Sequence, residues 1–384
     1  MNKSKRIYLS PPHMSGDEQH FIQQAFDSNW IAPLGENVVQ FENEICRYTG
    51  SPSSLAVSSG TAAIHLALIL LGIARNDFVI CQSLTFVATA NPILYQGAHP
   101  VFIDSEPDTW NMSPAALERA LYNMKKENCL PKAVITVNLL GQSAKYEELC
   151  AIADYYQVPI IEDAAESLGS SYKEKKCGTF GKFGILSFNG NKIITTSGGG
   201  MLLSDDSEAI ARAKFLATQA RDPAIHYEHS HQGFNYRMSN ILAGIGRGQL
   251  LHIEDRVDAR RDIFNRYKSS LSSINGVGFM PELPDTKSNR WLTAITISPE
   301  YHPSPHQVIH ALEAANIEAR PIWKPLHTQP LFLGSPFFEH EDGKDIANHL
   351  FKTGLCLPSG SSLTLEEQEK TIEIIKTTLK QSSV

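Results

Sequence analysis

A lysine has to shed its proton before it can act as a nucleophile, and Lys192 stands where that is feasible. It lies in the polar turn Ser187-Phe188-Asn189-Gly190-Asn191, with the β-branched run Ile193-Ile194-Thr195-Thr196 and the triplet Gly198-Gly199-Gly200 behind it. A lone lysine is usually a solvated surface charge. One set against an apolar run, with glycines that admit close backbone approach, can be desolvated and form a Schiff base with a carbonyl. A second segment, Ile160-Ile161-Glu162-Asp163-Ala164-Ala165-Glu166, is an apolar strand ending in acids. Carboxylates at the C-terminal end of a buried parallel strand sit where α/β folds hold ligands. Asp163 there suits a metal ligand, a base or a partner for a protonated pyridine nitrogen, and a helix N-cap equally well. A third, Ser58-Ser59-Gly60-Thr61-Ala62, marks a strand-to-helix junction. Its free N–H groups and positive dipole end favour an anion, and Gly60 lets a phosphate come close; alone, a plain cap explains it better.

The elements that must carry these residues alternate between short β-rich runs and helical patterns, the signature of an α/β layered fold with a mainly parallel sheet. Ser15 and Glu18 read as a capping box opening a helix to about Ser28, followed by a helix over Val38–Tyr48. Strands are expected at Leu55–Val57, Phe78–Cys81, Pro100–Ile103, Ala133–Val137, Pro159–Ile161, Ile185–Phe188 and Met201–Leu203. Helices are expected from Thr61, over Phe86–Tyr95 and over Tyr146–Tyr156. After a long charged helix from Glu254 to about Ser270, the texture becomes α+β, with a strand at Leu292–Ile297 and helices at His306–Ala315 and Leu365–Leu379. The expected division is a large domain over 1–250 and a small C-terminal domain over 251–384.

The 384 residues are 42% hydrophobic and 20% charged, ordinary for a globular protein. Thirty-four basic against 41 acidic residues leave a net charge of -7, which argues against a general nucleic-acid binder. The N-terminal stretch lacks the apolar core of a signal peptide, and the longest apolar run, Ala62 to Ala74, is broken by His65 and too short to span a membrane. The six cysteines, with no CxxC spacing, read as reduced thiols of a cytoplasmic protein. His226, His229 and His231 could bind a transition metal, but no companion ligands with recognisable spacing accompany them, so a polar loop is the reading and no metal is expected.

Taken together, the order Gly60-Thr61, Thr85-Phe86-Val87-Ala88-Thr89-Ala90-Asn91, Glu162-Asp163-Ala164-Ala165-Glu166-Ser167, Ser187 to Lys192 and Gly233 to Asn240 resembles the DegT/DnrJ-type sugar aminotransferases. These belong to fold-type I of the enzymes that use pyridoxal 5'-phosphate (PLP), and the resemblance spans nearly the whole chain. It implies that Lys192 forms the Schiff base with PLP and that Asp163 pairs with the pyridinium nitrogen. It further implies that Phe86 stacks on the ring, that Glu166 lies near the ring's O3′, and that Gly60, Thr61, Ala62 and Ser187 cradle the phosphate. Glu166 departs from the Gln or His of many relatives. Asn235 matches a residue that reaches the phosphate from the neighbouring subunit, which implies a homodimer with shared sites.

Asn29-Trp30-Ile31-Ala32 and Ser59 match the sugar side of the pocket. Arg320-Pro321-Ile322-Trp323-Lys324-Pro325-Leu326-His327 is similar to the substrate segment of enzymes that make UDP-4-amino-4,6-dideoxy-N-acetylglucosamine, which makes Trp323, Lys324 and His327 substrate residues. A packed domain connection is the competing reading. The implied partners are a UDP-keto-sugar and the donor L-glutamate. The alternatives are a dTDP- or GDP-linked keto-sugar and a PLP-fold regulator without activity. A PLP-dependent sugar dehydratase would carry histidine in place of Lys192.

Overall fold

The computed structural model describes residues 5–298, 300 and 303–380. Its centre is an eight-stranded sheet in the order Ser53–Val57, Gly200–Ser204, Phe183–Ser187, Ile160–Asp163, Ala133–Val137, Phe78–Gln82, His99–Ile103 and Phe337–Phe338. From Phe183–Ser187 to Phe337–Phe338 every neighbouring pair is parallel, whereas Gly200–Ser204 runs antiparallel to both of its neighbours. Ala133–Val137 is buried at every position, as a strand covered on both faces must be. The parallel direction brings several strand C-termini, and the loops after them, to one edge.

Helix Gly60–Leu70 is buried along most of its length and starts where Ser59 Oγ accepts the Ala62 N–H at 3.0 Å. Helix Asn240–Leu250 was not legible, because Gly244, Gly246 and Gly248 lower its intrinsic propensity. Packing requires those glycines. A Cβ at Gly248 would lie 2.6 Å from the Glu18 nitrogen, and one at Gly246 would lie 2.6 Å from the Phe41 ring. Helices Pro114–Lys126, Ser207–Ala217 and Ile346–Thr353 are likewise additional to the sequence reading.

Two local expectations need correction. The Phe86–Tyr95 helix is interrupted: Val87–Thr89 forms a tight turn and the helix covers only Asn91–Tyr95, with Pro92 in its first turn. Ser15 does not cap the first helix, which covers Glu18–Asp27 with Asp17 at its N-cap. Glu18 still reaches back, accepting the N–H groups of Ser15 at 2.9 Å and Gly16 at 2.8 Å.

A second, antiparallel sheet, in the order Val277–Phe279, Thr293–Ile297, Gly354–Leu357 and Arg320–Pro321, is covered by helices Pro305–Ala314 and Leu365–Lys380. Helix Ile253–Leu271 serves both halves. Ile253 and Val257 enter the core that contains the candidate site, while Ile263, Tyr267 and Leu271 enter the core of the second sheet. Two segments cross between the halves: Ile7 joins the second core, and Phe337–Phe338 forms the edge of the first sheet. Among the described residues no helix is long and apolar enough to cross a membrane.

Candidate active site

Lys192, Asp163, Glu166 and the start of helix Gly60–Leu70 open into one cavity of ≈ 420 Å³. Strand Ile160–Asp163 delivers Asp163 at its last rung, where one carboxylate oxygen accepts Thr89 Oγ–H at 2.7 Å and the other accepts the Ala165 N–H at 3.1 Å. Burial raises the Asp163 pKa, and the Thr89 hydroxyl, the Ala165 N–H and the nearby Lys192 ammonium oppose the rise. Burial also raises that of Glu166, against the pull of Lys192 and of the Leu140 N–H. The Leu140 N–H reaches Glu166 Oε2 at 2.7 Å because Leu140 adopts a left-handed conformation, φ 53°, in the turn Leu139–Gly141. A branched residue there stores local strain that the surrounding packing has to hold.

Lys192 ends the turn in which its own N–H bonds Asn189 O at 3.0 Å. Its Nζ lies 3.6 Å from Glu166 Oε1 and 4.2 Å from the centre of the Trp291 ring, with only 12% of the side chain exposed. The phosphate-sized end is built from backbone. A Cβ at Gly60 would crowd Ser187 Cβ at 3.2 Å, and one at Gly200 would meet the Gly60 nitrogen at 2.4 Å. These glycines let strand Gly200–Ser204 press against the helix start whose N–H groups face the cavity.

Of the expected residues, Ser59, Gly60, Thr61, Phe86, Asp163, Glu166, Ser187, Lys192 and Trp323 line this cavity. Ala62 is buried one residue behind it. Lys324 is exposed and lines a shallow pocket shared with Thr85, Phe86, Trp323 and Gln329.

Other expected residues lie elsewhere. His327 is turned away: one ring nitrogen meets Ser83 Oγ at 2.7 Å, the other meets Asp345 at 3.1 Å, and the ring stacks on Phe337 at 3.7 Å. Both nitrogens being engaged, this ring has nothing left to offer a sugar in the same cavity. Asn29, Trp30, Ile31 and Ala32 sit instead at the start of helix Asn240–Leu250, where Asn240 Nδ2 donates to Trp30 O at 2.9 Å and the Asn240 N–H to Ala32 O at 2.9 Å. Asn235 is exposed and outside the cavity of its own chain. His226, His229 and His231 are exposed; His226 faces Glu228 at 3.1 Å, and His229 bonds Gln219 O at 2.9 Å.

Sequence reasoning missed Thr89 and Trp291. Thr89 had a signal, because it lies three residues after Phe86 in the same turn. Trp291 had none, since nothing local links it to Lys192.

The donor set fits PLP. A buried acid at a strand end, raised by burial, is relieved by a ring cation beside it. A helix N-terminus lined by glycine takes a phosphate, and a partly desolvated lysine stands between them. The architecture and this site define a fold-type I PLP aminotransferase. The chain belongs to the DegT/DnrJ/EryC1/StrS aminotransferase family, whose profile matches residues 12–376, and it is a PLP-dependent sugar aminotransferase.

It is 61% identical, over 97% of its length and 95% of the relative's, to a Bacillus subtilis (strain 168) protein named "Putative pyridoxal phosphate-dependent aminotransferase EpsN". It is 34% identical to the GDP-perosamine synthase of Caulobacter vibrioides, over 97% of this chain and 98% of that one. Among solved structures, a DegT DnrJ EryC1 StrS aminotransferase from Brucella abortus superposes with a TM-score of 0.87 at 29% identity, covering 94% of this chain and 95% of that one.

Proposed function

We propose that the chain moves an amino group from L-glutamate to the C4 keto group of UDP-4-keto-6-deoxy-N-acetylglucosamine, a precursor of bacterial glycans. The convergence of Lys192, Asp163 and the Gly60–Leu70 helix start in one cavity, with Trp323 in its wall, is the observation that carries this reading. When bound, PLP supplies an electron sink for breaking a carbon–hydrogen bond. Lys192 would hold the cofactor covalently, and its freed Nζ would carry a proton from the α-carbon of glutamate to the cofactor and, in the second half-reaction, from the cofactor to C4 of the sugar. Asp163, as a carboxylate, would hold the proton on the ring nitrogen. Phe86 would pack on the cofactor ring, Glu166 would serve its hydroxyl, and Thr61, Ser187 and the Gly60–Ala62 backbone would hold the phosphate.

The Trp323 indole packs on the uracil or sugar face and Lys324 meets the diphosphate as a point charge. Asn235 and the Asn29–Ala32 segment serve the cavity of a second copy in a homodimer, a role supported by the exposure of Trp30, Ile31 and Asn235. The reaction belongs in the cytoplasm, which suits six unpaired cysteines.

A GDP-linked keto-sugar is the second reading, favoured by the similarity to a GDP-perosamine synthase. Incubating the enzyme and glutamate with UDP-, dTDP- and GDP-keto-sugars, and reading products by mass spectrometry, tests both. The UDP substrate should turn over fastest. A GDP or dTDP sugar aminated at a matching rate overturns the nucleotide assignment, and transfer to none of them overturns the whole reading.

A further inference from the structure

We infer that Arg260, buried behind the cavity, is a positioning residue that fixes the Asn191–Lys192 peptide and so sets where the Lys192 amine points. The inference rests on Lys192 bonding the cofactor, as proposed above.

The Asn191 carbonyl, one peptide before Lys192, accepts two hydrogen bonds from outside its own loop. One comes from Ser10 Oγ at 2.8 Å and the other from Trp291 Nε1 at 2.7 Å. Both donors hang on the same guanidinium. Arg260 Nη2 donates to Ser10 Oγ at 3.0 Å, and Nη1 donates to Trp291 O and, at 3.1 Å, to Ser359 O. A hydroxyl has one hydrogen to give. With its oxygen accepting from Arg260, the Ser10 hydrogen is directed at Asn191. Trp291 is held by its own carbonyl while its ring does two things: it bonds the peptide before Lys192 and lies 4.2 Å beneath the Lys192 ammonium.

This arrangement is costly to fold. Arg260 is 1% exposed, and none of its hydrogen-bond partners is a carboxylate. Burial, with Arg256 nearby, pulls the guanidinium down to about 9, still charged at neutral pH. An apolar side chain of similar volume would fill the same space without that desolvation cost. What an apolar side chain cannot supply is direction. A planar fork ties residues 10, 291 and 359, far apart in the chain, to one point, and a lysine ammonium lacks that fixed geometry.

The test separates aiming the amine from binding the ligand. Full-length protein, stripped of cofactor, is reloaded with PLP or with 4'-deoxypyridoxine 5'-phosphate, which lacks the aldehyde and cannot bond to a lysine. Covalent capture of PLP is followed by absorbance, and affinity for the deoxy analogue by fluorescence. For Arg260→Met, capture should slow by about tenfold, the scale of one lost hydrogen bond, while analogue affinity stays within about twofold. Arg260→Lys should not restore the rate.

Ser10→Ala, which removes the hydroxyl bridge, and Trp291→Phe, which removes the indole N–H but keeps a ring under Lys192, keep the assay decisive if Arg260→Met fails to fold. Each should slow capture by a few fold, and combining Ser10→Ala with Arg260→Lys should add nothing to Arg260→Lys alone. Equal loss of both ligands in every variant, or unchanged capture in all of them, overturns the positioning role. Lys192→Ala serves as the control: covalent capture that survives it would instead overturn the assignment of Lys192.

Discussion

The strand-end cavity and the segment from Trp323 to Asp345 meet at Phe86 and Trp323, and they are held by different means. Asp163 is aimed by the rungs of a parallel sheet, so its direction is set by a short stretch of chain. The Trp323–Asp345 segment is placed by distant docking. His327 bridges Ser83 and Asp345, and Asp104, at the end of strand His99–Ile103, accepts the N–H groups of His340 at 3.1 Å, Ile346 at 2.9 Å and Ala347 at 2.8 Å. Two residues of the segment reach the site, Trp323 in the cavity wall and Lys324 in the neighbouring pocket, while His327 works as a fastener. A motif read along the chain places its residues in the cavity where the sheet does the aiming. It mixes function with attachment where docking does it.

The largest expected effect lies on the sheet side. Lys192→Ala should abolish turnover and the yellow absorbance of lysine-bound PLP, since among the described residues no other lysine lines the cavity. Retained colour together with activity would mean that another amine does the work.

Asp163→Asn should keep PLP bound yet slow both half-reactions by roughly 10²–10³, the scale of a lost charge-assisted contact in a dry site. Single-turnover absorbance with glutamate, and separately with keto-sugar, measures each half. Near-normal rates would show that a different group holds the ring nitrogen.

On the docked side the effects should be smaller and more selective. Lys324→Ala is expected to raise the KM for the keto-sugar by about 3- to 10-fold and to leave the glutamate half-reaction unchanged, because glutamate has no diphosphate for a point charge to meet. Damage shared by both half-reactions would assign the segment a packing role throughout.

The smallest effect concerns the fastener. Burial pushes the Asp345 pKa up, but the hydrogen bonds from His327 and the Asn348 N–H outweigh it and leave the carboxyl below its ordinary value. A depressed carboxyl contributes stability that is complete above the unfolded value, about 3.9, and is lost as pH falls through the folded value. Asp345→Asn should therefore lower the melting temperature at pH 7 by a shift worth under about 1 kcal/mol, because the pair is partly solvated. The gap to the parent should close as pH falls below about 4. A gap that stays constant into acid would remove the charge from the account and leave only shape.

The alternation of strands and helices, and the three motifs that meet in one cavity with Lys192 and Asp163 in its lining, were legible in the sequence. They rest on local rules: apolar strands that end in acids, a cap at a helix start, and a lysine beside glycines. Local rules also explain the errors. The expected Phe86–Tyr95 helix begins late: Val87–Thr89 turns, and Pro92 confines the helix to Asn91–Tyr95. Helix Asn240–Leu250 carried no reading, because its glycines have low intrinsic propensity, whereas the helix is stabilised by close approach to the Glu18 backbone and the Phe41 ring.

Other features had no local trace. The sequence alone determined which chemical groups are available and roughly which strand ends present them. Only the tertiary structure decided that Trp291 lies under Lys192, that Leu140 turns its N–H to Glu166, and that His327 faces Ser83 and Asp345. Each of those contacts joins residues 18 to 244 positions apart in the chain. Their formation depends on how two sheets and a bridging helix close over one another, a property of the packed whole that no run of neighbouring residues encodes.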